Sequence, residues 1–455
     1  MKPLPPAMRG LPLVGNVLDF ARDRNQFLRK GYEQLGPIYA FKLATQPVVL
    51  LVGPEYHKFF FTETDKTLDM EKPYDQLAAT LGKVAFLAGK EIYQNQHPIL
   101  YAPFHPKKMA QYVEVMQREV QRWIDALPDE GVIDISAEMG TLVQTVAGTA
   151  LMGDEFQRRH GKEFWQYYDI LGKSLSLVVP PHWPLPRNIR RERAKAAMRQ
   201  MLIPIIQERR QHPEAYDDFL QDFVSTQCRD GAPADDETIS ALLRALMFAS
   251  HETTAGQSAW TIIELLRHPD YRRLVEAEID ANLPIGQPVD GRALRALEHV
   301  YWAVREVERL HPSADTLLRA VEEEAELGGY RIPEGWFLMV AANISHRLPE
   351  LFTSPNRFDP LRFAPDRAED KQHGYTLIGF GGGKHKCAGM NFANNEMMVI
   401  TALLFQQLDM VLLTKEPQLT YGKGASRPEA TAVRYRRRAT PLGIAPTPAE
   451  AFVQG

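Results

Sequence analysis

The residues best suited to chemistry are Phe380-Gly381-Gly382-Gly383-Lys384-His385-Lys386-Cys387-Ala388-Gly389, because they surround one cysteine with what a metal-binding thiolate requires. A thiolate, not a thiol, ligates metal, and its pKa falls beside cations and at a helix N-terminus. Lys384, His385 and Lys386 supply the cations, and the apolar run from Ala388 to about Leu408 predicts a helix whose first N–H groups lack partners. The glycines let the chain turn tightly before the sulfur and donate hydrogen bonds to it. The bland alternative is a glycine-rich loop around a buried structural cysteine.

Cys228 is the only other cysteine and lies in an acidic, polar connector, just before Asp230 to Glu237, so a zinc site or iron–sulfur cluster, which need several ligands, is excluded. A haem iron needs one. A second set of reactive groups lies in the middle of a long apolar helix, where Glu252, Thr253 and Thr254 need partners if buried. A third is Glu306 and Arg309, one turn apart on a predicted helix Tyr301–Leu310; such pairs are often surface decoration. Tyr93 and His97 share a face of a helix starting near Glu91, where an exposed amphipathic face is the competing reading.

The elements that must position these groups are mainly helical. Thr238 to Arg267 has no proline and stops at His268-Pro269; its thirty or so residues span about 45 Å. Ala245, Ala249 and Thr253 form a strip along it, flanked by Gly256, where a flat cofactor can approach closely; equally, alanine is merely a good helix former. Helical periodicity also covers Ala21–Leu35, Val113–Leu127 and Ile135–Leu151. Ile38–Leu43 and Val48–Val52 predict a hairpin, and Leu317–Val321 is strand-like, so small sheets accompany the helices. Residues 71–92 read as an adaptable loop. Ser174–Pro186 is apolar and proline-rich with Trp183, and Arg187–Arg210 is basic, which predicts a solvated helix face or, secondarily, peripheral membrane contact.

The 455 residues contain no linker between independent cores, so a single domain 1–455 is expected, with a β-rich part at about 37–55, a helical body at about 91–320 and the cysteine loop at 380–389. A net charge of -4 gives no general attraction to nucleic acid. Two cysteines exclude a disulfide scaffold and suit a reducing cytoplasm. The N-terminal apolar segment Leu11–Phe20 is broken by Gly15, Asn16 and Asp19, so neither a signal peptide nor a membrane span is expected, and the protein reads as soluble.

Phe380, Gly383, Cys387 and Gly389 in the order Phe-x-x-Gly-x-x-x-Cys-x-Gly resemble the signature of the haem-thiolate monooxygenases, the cytochrome P450 superfamily. Three further stretches in order resemble the same family: Ala249-Ser250-His251-Glu252-Thr253-Thr254, Glu306-x-x-Arg309, and Phe358-Asp359-Pro360-Leu361-Arg362-Phe363. The resemblance implies a mainly α fold with small β-sheets and haem b between the long helix and the cysteine helix. Cys387 would ligate the iron. Phe380, Gly381, Gly389 and Ala249 would border the haem, and Tyr93, His97, Arg319 and His385 would reach its propionates. Glu306, Arg309 and Arg362 would form a buried ionic network. Thr253 would hydrogen-bond O2 and Glu252 relay protons, which favours a monooxygenase over a peroxide-driven haem enzyme or a haem-based gas sensor. Electrons would come from NAD(P)H through a separate ferredoxin or other reductase docking near Lys384 and Lys386.

Within the family the chain is most similar to the sterol 14α-demethylases, through His251, Trp260, Leu310-His311-Pro312 and Val433 to Arg438. It departs from them at Glu252, Thr254 and Thr80. The implied substrate is a hydrophobic small molecule, a sterol or else a fatty acid or terpenoid. Its pocket would be built from Tyr74, Leu77, Phe86, Ala245, Ala249 and His251, with the turn around Arg427–Thr431 above.

Overall fold

The computed structural model describes residues 2–176, 180–421 and 424–438. Its longest element is the helix Asp236–Arg267, 32 residues. Asp235 caps it by accepting a hydrogen bond from the Thr238 N–H at 2.6 Å, and Pro269 opens the next helix after the His268 break. It has no single wet face, because it is buried over most of its length by the helices Ile135–Met152, Pro186–Gln211, Glu298–Leu310 and Met390–Gln407. Polar side chains on it therefore require specific partners.

A five-stranded sheet flanks this helical body, in the order Ile38–Leu43, Gln46–Leu51, Phe337–Ala341, Thr316–Val321, Leu68–Asp69. The predicted hairpin forms with Ile38 opposite Leu51, and only the pairing of Gln46–Leu51 with Phe337–Ala341 is parallel. Both faces of the sheet are covered. Tyr39, Phe41, Val48 and Leu50 pack toward the N-terminal helices, while Ile38, Val49 and Leu51 pack with Phe60, Phe61 and Ile378 on the side that faces the cysteine loop. Continuous apolar strands are what such two-sided burial demands.

Two expectations are corrected. Residues 71–92 are not one loop: they contain the short helices Lys72–Tyr74, Asp75–Leu81 and Ala85–Leu87, separated at Gly82, whose φ of 122 suits glycine. The basic segment is more than a solvated face, since Arg191 and Arg209 are buried, Arg209 in a two-point contact with Asp218 at 2.7 and 2.8 Å. Part of the apolar Ser174–Pro186 stretch, residues 177–179, lies outside the described residues, as does everything after Arg438. Among the described residues no helix is long and apolar enough to cross a membrane.

Candidate active site

Cys387 lies just before the helix Met390–Gln407, which Gly389 precedes, and faces an internal cavity of about 330 Å³. Gly381 and Gly383 adopt positive φ, 71 and 62 degrees, and a side chain at Gly383 would collide with the Phe61 carbonyl. The Cys387 N–H donates to the Phe380 carbonyl at 2.9 Å, closing the turn. Burial pushes the Cys387 thiol up, and the Gly389 N–H and Lys386 only partly counter it. The expected depression of its pKa by neighbouring cations is thus outweighed by burial. A coordinating metal deprotonates a thiol outright.

The helix Lys90–Tyr101 grips this loop from the side. Tyr93 is buried, donates its hydroxyl to the Lys384 carbonyl at 2.6 Å and stacks on His385 at 3.9 Å between ring centroids. Tyr101, two turns on, donates to the Lys386 carbonyl at 2.7 Å. His97, between them, stacks on Tyr101 at 4.1 Å and is not part of the cavity wall. Tyr101 is a residue that sequence reasoning missed, although its i+8 spacing from Tyr93 places it on the same face.

The chain enters the loop through residues 375–380, which two buried histidines fix. His57 joins its two ring nitrogens to the Tyr375 carbonyl at 3.0 Å and the Ser345 hydroxyl at 2.9 Å. The Ile378 N–H donates to His346 Nε2 at 2.9 Å, which leaves Nδ1 as the protonated nitrogen facing the Arg309 carbonyl at 3.3 Å. Burial lowers both pKa values, that of His57 to about 4.

Across the cavity from Cys387, the long helix presents Ala249, Ser250 and Thr253. Tyr74, Phe86, Phe380 and Gly381 are also in the wall. The other expected pocket residues stand elsewhere. Leu77 and Ala245 pack in the helical core, and His251 points between helices to the Tyr168 hydroxyl and the Gly140 carbonyl, each at 3.0 Å. The strand Ser426–Pro428 lies against the long helix rather than over the cavity; a Cβ at Gly256 would come within 2.8 Å of the Ser426 carbonyl. Glu252 is also outside the wall: it is buried, with Oε2 3.4 Å from Arg427 Nη1 and Oε1 3.3 Å from His251 Nδ1. Thr253 donates to the Ala249 carbonyl at 2.7 Å.

The residues present fit a haem. His385 binds both Asp65 oxygens through Nε2 at 3.0 Å, yet its Nδ1 is buried with no partner among the described residues. Arg319, in the same wall, is buried over the Phe60 ring, donates to the Thr64 hydroxyl at 3.0 Å and makes no ion pair among the described residues. Burial lowers its pKa, as expected of a buried cation without a carboxylate. Two unspent cationic or donor groups beside a thiol match a flat cofactor that carries one metal and acidic side groups.

Behind the loop, Glu306 binds Arg309 through two contacts of 2.8 Å and Arg362 at 3.1 and 3.2 Å, with all three side chains fully buried. The carbonyls of His346, Pro355 and Thr353 take further guanidinium protons. The network is larger than three residues: Glu369 accepts from Arg362 at 2.6 Å and from Arg367 at 2.6 Å.

The family model for cytochrome P450 matches residues 5–432. The chain is 30% identical to a sterol 14α-demethylase of Mycolicibacterium vanbaalenii over 96% of this chain and 99% of that protein. It is 28% identical to the obtusifoliol 14-alpha demethylase of Sorghum bicolor, over 92% of this chain and 87% of that one. The solved structure of the retinoic acid bound cyanobacterial CYP120A1 superposes with a TM-score of 0.86 at 26% identity, covering 96% of this chain and all of that one. With its fold and nearly its whole length matched in this way, the chain belongs to the cytochrome P450 family and is a P450 monooxygenase, an oxidoreductase.

Proposed function

We propose that the cysteine loop and the long helix would hold haem b, with Cys387 supplying a thiolate to its iron, and that the protein inserts one oxygen atom of O2 into an apolar substrate. The single observation that carries this reading is the cavity bounded by Cys387 on one side and by Ala249 and Thr253 on the other, with Arg319 and the free His385 nitrogen at its edge. When bound, the haem supplies oxygen activation, for which a thiolate ligand favours O–O cleavage. The remaining tasks fall to the chain. Tyr93 and Tyr101 hold the loop by its carbonyls, and Arg319 and His385 pair with acidic groups. Thr253 holds a proton at Oγ1, now given to the Ala249 carbonyl and turned into the cavity by rotation about its Cα–Cβ bond. Glu252 sits beside Arg427, whose side chain is 38% exposed, so its wet side is the Arg427 rim.

The demethylase relatives favour a polycyclic, sterol-like substrate; the retinoic acid bound neighbour favours a terpenoid as the second reading. Exposed Lys384 and Lys386 suit an acidic ferredoxin-type partner that passes electrons from NAD(P)H in the cytoplasm. The test is the ferrous carbonyl spectrum of the purified protein. A thiolate-type band in wild type, lost in Cys387→Ala, is the expected result; a histidine-type band in fresh wild-type protein refutes the ligand assignment.

A further inference from the structure

Residues 11–18, far in sequence from every element of the cavity wall, carry an open apolar surface. Leu11, Leu13, Val14 and Leu18 are 58, 89, 39 and 61% exposed. A single exposed leucine is ordinary, but four large apolar side chains on one turn form a patch of the kind that marks a contact. The turn is built rather than loose. Leu11 and Gly15 exchange backbone hydrogen bonds of 2.9 Å in both directions, and the Val17 N–H reaches the Val14 carbonyl at 3.4 Å. Behind them Asn16 is buried; its side-chain nitrogen donates to the Arg9 carbonyl at 2.9 Å, and its Oδ1 accepts from the Lys42 N–H at 3.1 Å. Gly15 has a positive φ, and a Cβ there would collide with the Lys42 carbonyl. Leu13, the most exposed of the four, holds a φ of 64 degrees, a strained conformation for a bulky residue.

We propose that this turn is a docking knob for the surface of an anionic lipid bilayer, into which Leu11, Leu13, Val14 and Leu18 insert. Shape and charge both select lipid over a folded partner. The patch is a projecting tip, for which a protein would have to supply a matching pocket, whereas fluid lipid closes around any apolar projection. The flanking charge is complementary to acidic headgroups. Arg9 and Lys42, whose backbones Asn16 binds, and Arg22, one turn beyond Leu18 on the helix Val17–Arg22, are exposed and make no ion pair among the described residues. Asp23 is turned to cap the next helix, which leaves Asp19 as the acid set against them. Long basic side chains beside an apolar tip let the leucines enter the acyl boundary while the cations meet phosphates, and so small an insertion makes the association reversible. The inference is independent of how the cavity is read.

The experiment floats the haem-loaded full chain with vesicles of phosphatidylcholine alone or of equimolar phosphatidylcholine and phosphatidylserine. Wild type is compared with Leu13→Ser/Leu18→Ser, with Arg9→Glu/Lys42→Glu, and with Trp183→Ser, which removes an exposed tryptophan outside the patch. All substituted side chains are exposed or largely so, and an unchanged melting temperature certifies each variant as folded. Wild type is expected to bind the anionic vesicles about tenfold or more tightly than the neutral ones. The leucine variant should lose about tenfold or more of that binding, the charge-reversal variant should lose the preference for anionic vesicles, and Trp183→Ser should bind as wild type does. Absence of wild-type binding overturns the proposal, as do equal binding to both vesicle types and binding that survives in the leucine variant. A concentration-dependent dimer that the leucine variant abolishes, without vesicle binding, assigns the patch to a second copy of the chain and overturns the lipid reading.

Discussion

Thr253 gives its hydroxyl proton to the Ala249 carbonyl at 2.7 Å, as threonines inside helices often do, while its oxygen still faces the cavity. A structural role and a proton-holding role make different predictions. For Thr253→Ala, haem content and ligand affinity should stay near wild type, while product formed per NAD(P)H falls several-fold and peroxide release rises. Unchanged coupling, measured with a surrogate redox partner, would leave Thr253 only its backbone-directed bond. At this scale the sequence is informative where spacing is local: Cys387 and its glycines, or Glu306 and Arg309, are fixed relative to each other by one turn or one loop. Partners across the chain leave no such trace. Asp65 meets His385 across 320 positions, and Arg427 meets Glu252 across 175, so neither pairing could be read from residue types. His251 misled for the complementary reason, since a histidine beside reactive residues on a helix can equally face the neighbouring helix.

The element that carries the cysteine loop from behind is the helix Glu298–Leu310, whose Glu306 and Arg309 are entirely buried with Arg362. Removing one charge from a buried cluster strands the others, at about 3–5 kcal/mol, whereas an exposed pair is worth under ~1 kcal/mol. Arg309→Ala is accordingly expected to cut haem-loaded yield and melting temperature sharply. Near-wild-type values for both would contradict the burial. Long elements are visible in the sequence because many residues repeat the same period; the 32-residue helix differs from its expected start by two positions. The seven-residue helix Asp75–Leu81 completes too few turns to show one, and Gly82 and Gly89 around it carry the composition of a loop.

For the molecule as a whole, acid should act through histidines that the fold keeps neutral. His57 and His346 are depressed by burial, with Arg309 and Arg347 also disfavouring a charge on His346. The unfolded chain binds these protons near pH 6.5 and the folded chain does not, so stability is full above that pH and falls as pH drops below it. For His57 alone, with a folded value of about 4, the loss reaches about 3 kcal/mol by pH 4. A urea midpoint that falls from pH 7 to pH 5, with a shallower fall in His57→Gln, is expected; a flat midpoint in wild type would contradict it. Of the five-stranded sheet the sequence showed a hairpin and one strand-like stretch, but not which face would carry Phe61 to the cysteine loop, because a register decides that. Tyr93 and Tyr101 hold residues 384 and 386 by their carbonyl oxygens, which every amino acid possesses, while the two lysine side chains remain exposed. Substitution there can revise the surface proposed to meet an electron donor without releasing the carbonyl grip on the loop, so partner choice and loop geometry are free to evolve separately.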